Sequence, residues 1–581
     1  MSRPPRLCTL ASQARSEARY PVRGGAGAHL WLQLGVALLF ASAAMACGDR
    51  SRPSPSLEGA DVTADVASED TAPGGEDPDV PEDNDVSEGN DTPDIQDEEE
   101  GDGVVDPTPY PAPDAWRSNR GPGGPTRTFT ADELFEPCAE LPKDERDRVE
   151  HHNLHVMYDG YLLKPWAPEW GGGGLVFYRF DDPCSPSIVG SGYSRRMRES
   201  HSIGFSSIGG EWAVVAMLRG FLDGGIQFWD ISDPSAPEAV FDLTLEGHVY
   251  PDAYARVVLS AFWQAPYVYV AHTDLGVVIV DATNPLAPEV LGTWQTDPIL
   301  RAGQVHAVGD LLIVTAADGP RTVLLDISDP ARPQPIPGGD FVITDDEGVP
   351  RDAYFSNFSG GMTIYARKDR GSGILLYDIS DPTQPRRLGG IRNEGAGGYV
   401  FIKDRWAFSG ESDFGAVYDI SDPSDILEVG RFYLAGDLDT VTPIGNVALV
   451  SVDDGAEPGR GTVVTPWRQE PDVEAPYVNF VWPRDGAADL RTTSRIGLSF
   501  NEMVDVRSAF AGSVRLWETE LGPLNGQVRG HISVQENIVN FWPVEGLQRG
   551  TSYTLEVPAG GIVDYNGNAI TEPFSATFRT R

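Results

Sequence analysis

Ile231-Ser232-Asp233-Pro234 returns as Ile327–Pro330, Ile379–Pro382 and Ile420–Pro423, and the reading of this phrase decides the fold. Thr283-Asn284-Pro285 is a variant of it, Asp181-Asp182-Pro183 is a weaker one, and a seventh unit ends at Thr465-Pro466. Successive prolines stand 41–52 residues apart. A period of that length marks an array of small β-units, closed or stacked. Each phrase follows a short strand-forming run, such as Ile226-Gln227-Phe228-Trp229, Val277-Val278-Ile279-Val280 or Ile374-Leu375-Leu376-Tyr377. The runs are too short for core helices and are rich in β-branched and aromatic residues. Several are apolar without alternation, so both faces are buried. A blade pressed between two other blades meets that condition; an open two-layer sandwich does not.

The phrase itself is turn chemistry. Pro presets φ, and the Asp or Asn before it can bond the backbone two residues on. An Asp also stands four residues before the key Pro in five units: Asp230, Asp281, Asp326, Asp378 and Asp419. These carboxylates read as turn-fixing side chains, because a residue repeated in every unit repeats with the turn. The stretch Gly276-Val-Val-Ile-Val-Asp-Ala-Thr-Asn-Pro-Leu-Ala-Pro288 resembles the LVIVD repeat of bacterial extracytoplasmic proteins. The resemblance runs from about Asp147 to Arg468. It implies a β-propeller and brings no reaction with it. The repeats predict about seven blades, with six as the alternative because the first and last units are degenerate.

At 581 residues the chain is long enough for more than one domain, and its net charge is −43. There is no Lys or Arg between Arg52 and Arg117, while Glu58 to Asp106 holds twenty acidic residues. Such a stretch cannot bury enough apolar surface to offset its ordering entropy, so residues 47–125 are expected to form a disordered acidic tether. Asp97–Glu100 within it is a non-specific candidate for calcium. The rest of the chain is acidic too, which argues against nucleic acid as a partner.

Ahead of the tether, Leu30 to Ala46 is strongly apolar and follows Arg3, Arg6, Arg15, Arg19 and Arg23. This is the plan of an export signal, expected over residues 1–46. Ala44-Met45-Ala46-Cys47 resembles a bacterial lipobox, with Ala44 where Leu is commonest. The resemblance implies lipidation of Cys47 and stable membrane attachment. Gly48 at the next position implies sorting to the outer membrane. Ordinary cleavage after Ala46 and an uncleaved anchor are the alternatives. In an oxidising compartment Cys138 and Cys184 are candidates for a disulfide, with two free thiols as the alternative.

The propeller is expected over residues 126–468 and a linker over 469–475. Beyond Pro476 the long period stops, and short strands are expected at Ile496–Phe500, Ser513–Leu516, His531–Val534, Ile538–Phe541, Thr551–Val557 and Ser575–Arg579. That pattern suggests an Ig-like β-sandwich over residues 476–581. Pro483–Ala487, Leu498–Met503, Leu547–Leu555 and Val563–Asn568 resemble the bacterial Ig-like domain of S-layer and adhesin-type proteins. The resemblance implies a spacer or stalk. Asp564, Asn566 and Asn568 offer oxygen ligands at alternate positions and are candidates for calcium, against an Asx-rich turn with Gly567 at positive φ.

Histidine supplies the one constellation with transition-metal chemistry. His155, His201 and His306 fall at roughly equivalent positions ahead of strands in three units, where propeller residues can converge on the axis. Three imidazoles suit zinc or copper. His151, His152 and His248 are extras. No nucleophile elbow or P-loop is present in the sequence. The reading is therefore an all-β, membrane-anchored lipoprotein facing the periplasm or cell surface. It binds a protein or glycan of the envelope for adhesion or scaffolding and has no firm cofactor. The alternative is a metal-dependent enzyme with its site in the propeller channel.

Overall fold

The computed structural model describes residues 109–119, 124–147, 154–220, 223–249, 257–368, 371–453 and 461–581. The export signal, Cys47, Asp97–Glu100, His151 and His152 lie outside these residues.

Seven antiparallel four-stranded sheets follow one another along the described residues. Blade 1 begins with Val156–Tyr158, blade 2 with Gly204–Ser206, blade 3 with Ser260–Gln264 and blade 4 with Ala302–Val308. Blades 5, 6 and 7 begin with Ala353–Ser359, Val400–Lys403 and Thr440–Ile444. From blade 2 to blade 7, the first strand of each blade packs on the first strand of the next, so these strands ring a common axis. The third strands are the apolar runs of the sequence, and Val277 to Val280 are all buried. Gly276 precedes that run because its φ is +87° and a Cβ there would lie 2.1 Å from the Trp294 carbonyl oxygen.

The repeated phrase is the turn from third to fourth strand. Asp281 Oδ1 accepts from Thr283 N at 2.9 Å and from Thr283 Oγ1 at 2.7 Å. Asp230, Asp326, Asp378 and Asp419 serve the residue two positions on in the same way. The next Asp does so again: Asp233 Oδ1 accepts from Ser235 N and Oγ. The repeated carboxylates are spent on their own turns.

The seventh unit is degenerate for a topological reason. Its outer strand is Ala139–Glu140, from before blade 1, paired to Thr462–Pro466. Cys138, next to that strand, is disulfide-bonded to Cys184 in the turn of blade 1, with their Cα atoms 5.2 Å apart. One bond thus ties the last blade to the first.

The C-terminal domain is a sandwich. One sheet runs Val478–Trp482, Ile496–Phe500, Ile538–Pro543, Gly530–Gln535. The other runs Ala487–Leu490, Phe574–Thr580, Ser552–Val557, Arg515–Glu518. The first sheet does not stop at the domain edge. Gly530–Gln535 pairs with the first strand of blade 2, Ser533 opposite Ser206, making one eight-stranded sheet across both domains. The domain is therefore docked, where its resemblance implied a stalk.

Docking reaches the turn between first and second strands of every blade. Asp505 accepts from Asp159 N and Gly160 N of blade 1 at 3.0 and 2.7 Å. In blade 2, Ser207 N donates to Ile532 O; in blade 3, Ala265 N donates to Ser533 Oγ; in blade 4, Gly309 N donates to Asn540 Oδ1. In blade 5, Gly360 N donates to Ser499 Oγ, and in blade 6, Asp404 N donates to Asn501 O. Gly445 of blade 7 lies against Asn566, where a Cβ would be 2.2 Å from its amide nitrogen. Residues expected at the end of the tether also lie on this domain. Tyr110 donates to Leu516 O, and Pro125 O accepts from Asn566 Nδ2 at 2.8 Å.

Candidate functional site at the two ends of the axis

At the capped end, the hairpin turn Gln535–Ile538 enters the ring of first strands. Glu536 sits at its tip with φ +55° and is buried. Asn357, on the first strand of blade 5, donates its side-chain amide to Glu536 Oε2. Asn537 Nδ2 donates to Phe358 O of the same strand at 2.9 Å. Asn540 Nδ2 donates to Ala307 O of blade 4 at 2.9 Å, and Asn540 Oδ1 accepts from Gln264 Nε2 of blade 3 at 3.0 Å. Burial pushes the Glu536 carboxyl up to about 8, so it carries a proton at neutral pH.

Beside the hairpin lies a buried charge cluster. Lys403 of blade 6 bonds Glu502 and Asp472, and Asp564 completes the group. Burial opposes the charge of Lys403, but Glu502 and Asp472 outweigh it and hold the ammonium above its usual range. Three carboxyls face one ammonium. Burial and then Glu502 push Asp564 up to about 8, and burial raises Glu502, so the cluster retains a proton at neutral pH.

The opposite end is filled by rings. His201, just before the first strand of blade 2, packs on Phe355 of blade 5 with centroids 4.9 Å apart and stacks on Tyr399 of blade 6 at 5.9 Å. In a seven-blade ring, blades 5 and 6 both lie three places from blade 2. These contacts can be made only across the axis. Phe355 and Tyr399 stack at 4.3 Å, and the Lys368 ammonium lies 4.0 Å from the Tyr354 ring centroid. His201 Nε2 is 2.6 Å from Glu199 Oε1, and its Nδ1 is 3.0 Å from Leu259 O. Burial and then Asp453 raise the nearby Asp439 carboxyl well above the usual range.

The expected histidine site is not assembled. His306 Nε2 is 3.0 Å from Ser356 O of blade 5 and its ring meets Phe262 of blade 3, so it is wedged between its two neighbouring blades. Burial lowers it to about 4. His201 is held by Glu199 and the rings. His155 is buried ahead of the first strand of blade 1, and His248 stacks beside His272 at 5.8 Å. Among the described residues, three ligand atoms come within 4.8 Å of one another at Asp472, Glu502 and Asp564 alone, and that group contains no histidine.

The calcium candidates also resolve differently. Asp564 Oδ1 accepts from the backbone N–H of Asn566 and of Asn568, both at 2.8 Å, and its Oδ2 accepts from Asn568 Nδ2 at 2.8 Å. Asn566 and Asn568 turn their amides outward as donors, to Pro125 O and Asp472 O. Gly567 has φ +82°. These residues form an Asx-bonded turn. Asp564 joins a carboxylate group with Asp472 and Glu502 instead, where Lys403 already supplies the positive charge.

Glu536, Asn357 and Lys403 carry no signal in the sequence. Gln535-Glu536-Asn537 reads as a solvent-exposed hairpin turn between two alternating strands. Only the docking of one domain on the other buries it.

Residues 472–580 match the family model for the bacterial Ig-like domain, and residues 266–296 match the LVIVD repeat. No match is found among curated proteins. The chain is similar to a solved protein from Lactobacillus plantarum at 11% identity, covering 50% of this chain and 94% of that one, with TM-score 0.40. It is similar to the periplasmic gluconolactonase of Pseudomonas aeruginosa at 13%, covering 55% and 98%, with TM-score 0.39. It is also similar to BamB from Moraxella catarrhalis at 12%, covering 56% and 99%, with TM-score 0.36. Likenesses this distant bear on neither activity nor ligand. The chain carries an LVIVD repeat within a seven-bladed β-propeller and ends in a bacterial Ig-like domain.

Proposed function

We propose that this protein is an exported, lipid-anchored binding or scaffold protein of the cell envelope. Its rigid propeller–Ig body presents the face opposite the Ig-like domain to a protein or glycan. One observation carries this reading: the Ig-like domain occupies the turns between first and second strands of all seven blades, which leaves the other rim of the propeller for a partner. Export is supported by the Cys138–Cys184 disulfide, which belongs to an oxidising compartment. The apolar segment before Cys47 supports it too. No helix among the described residues is long and apolar enough to cross a membrane.

Two measurements test it. The mass of the mature N-terminus should show acylated Cys47; an unmodified Cys47, or cleavage elsewhere, refutes anchoring. Photo-crosslinking residues placed in intact cells at Asp318 and Asp413, exposed on the free rim, should capture an envelope protein or glycan. A probe at Glu520, exposed on the Ig-like domain, should not. Capture at Glu520 alone would reassign the binding face.

A further inference from the structure

A cleft of about 670 Å³ opens where blades 4 and 5 meet the Ig-like domain. Its volume lies in the range of formed ligand sites. One wall is the start of the outer strand of blade 4, at Gln334–Pro337, with the Pro382-Thr383 turn of blade 5. The other wall runs from Trp482 to Arg491. Pro335, Ile336, Pro337, Pro382, Trp482 and Leu490 make the cleft largely apolar.

Three guanidiniums also line it: Arg484, Arg491 and Arg581, all on exposed residues. None is in an ion pair with another described residue. Elsewhere on blades 4 and 5 guanidiniums are held: Arg321 by Asp340 at 2.6 Å, Arg386 by Asp378 at 2.7 Å, and Arg387 by Asp346. In a chain of net charge −43, three exposed guanidiniums on one cleft are a local concentration of cations, set among the carboxyls of Asp310, Asp326 and Asp489. Carboxyls face the cleft as well. Asp310 is buried, and its Oδ1 accepts from Arg495 N at 3.2 Å. Asp326 Oδ1 accepts from Ser328 N at 2.8 Å, and Asp489 is exposed on the rim. Asp310 and Asp326 are hydrogen-bonded within their own surroundings, whereas the guanidiniums make no close ion pair, Arg484 acting on Asp381 only at longer range.

We propose that this cleft binds an extended polypeptide segment of a partner, in which apolar side chains alternate with carboxylates. The guanidinium forks match carboxylates in two-point geometry. The proline, isoleucine and tryptophan walls take the apolar side chains. An acidic glycan shares the charge but needs stacking faces, and among the lining residues Trp482 is the one aromatic ring. The cleft lies on the capped side of the propeller, so it stands apart from the free rim assigned above.

Fluorescence anisotropy on the full chain tests this, with a short fluorescein-labelled peptide of alternating Glu and Leu as the probe. Saturable binding is expected, weakened roughly tenfold or more by Arg484→Ala with Arg491→Ala, and by Gln in place of Glu in the peptide. The melting temperature should not change, since both arginines are exposed; Arg491→Glu alone gives a second reading should the double variant lose stability. Three results overturn the proposal: no saturable binding, equal affinity for the Glu and Gln peptides, or no effect of the arginine substitutions. Tighter binding of oligogalacturonate than of the peptide also overturns it, and gives the cleft to an acidic glycan.

Discussion

The two ends of the propeller axis are closed by opposite chemistry. At the free rim, the rings of His201, Phe355 and Tyr399 pack on one another across the axis, with Tyr399 stacked on both others. At the capped end, Glu536, Asn537 and Asn540 enter from the Ig-like domain and bond the first strands of blades 4 and 5. Rings gain from burial with few demands on their neighbours. Buried amides and carboxyls are stable only when their partners are in place. The propeller can therefore close its ring end alone, but its polar end needs a second domain. The difference makes the Ig-like domain part of the propeller's closure.

The largest test of that contrast is Lys403→Met. It leaves Glu502, Asp472 and Asp564 buried with no counter-cation, and breaking such a buried pair costs about 3–5 kcal/mol. The ring-end counterpart, Phe355→Leu, gives up the ring contacts but leaves no charge unpaired and should cost about 1–2 kcal/mol. Denaturant titration of both variants compares them. If Phe355→Leu proves as damaging as Lys403→Met, the two ends do not differ as argued.

Covalent closure ranks next. Removing the bond between Cys138 and Cys184, 46 residues apart, should cost about 2–4 kcal/mol through the freed chain entropy of the unfolded state. The Cys138→Ser, Cys184→Ser double variant should melt lower than the parent, and reductant should lower the parent to match. A parent indifferent to reductant would show that the last blade is held by pairing of Ala139–Glu140 alone.

The propeller was legible in the sequence because its period repeats. Each Asp-Pro turn and each apolar run, Val277–Val280 above all, states its own structure locally. The seventh blade was faint because its outer strand, Ala139–Glu140, comes from the other end of the propeller segment. In the Ig-like domain, Val478–Trp482 and Ala487–Leu490 carry little strand signal, since Pro476 and Pro483 punctuate the sequence there as loop. The histidines are placed apart for a different reason. Equivalent register in three blades does not aim side chains at one point: His306 is turned between blades, while His201 crosses the axis. The joint was not legible at all, because nothing in Gln535–Ile538 says that another domain will bury it.

Glu536 gives the capped end a pH dependence of its own, apart from that of the buried Asp439 beside the rings. Its carboxyl is raised by burial to about 8, against an ordinary 4.5 in the unfolded chain. Between those values the native state holds a proton that the unfolded state has lost, so stability falls as pH rises through this window and levels off above it. Glu536→Gln removes the titration and keeps an acceptor for the Asn357 amide. The variant should match the parent near pH 4.5 and exceed it at pH 9, the gap widening by up to about 1.4 kcal/mol per pH unit across the window. Melting temperatures across that range decide it; parallel curves for the two proteins would mean that Glu536 is not buried in the docked state.

The smallest expected effect falls on the most conspicuous residues. Asp281 spends its carboxylate on Thr283 N and Oγ1 within one surface turn. Asp281→Ala removes those bonds but leaves Thr283 near water, so about 1 kcal/mol is the expected loss. The same substitution at Asp505 removes the acceptor for Asp159 N and Gly160 N of blade 1 at the buried joint, and a larger loss is expected there. A carboxylate repeated in five turns should thus matter less than one that occurs once. Equal losses at Asp281 and Asp505 would mean that the repeated turns carry as much of the fold as the joint, and that the capped end is an ordinary surface contact.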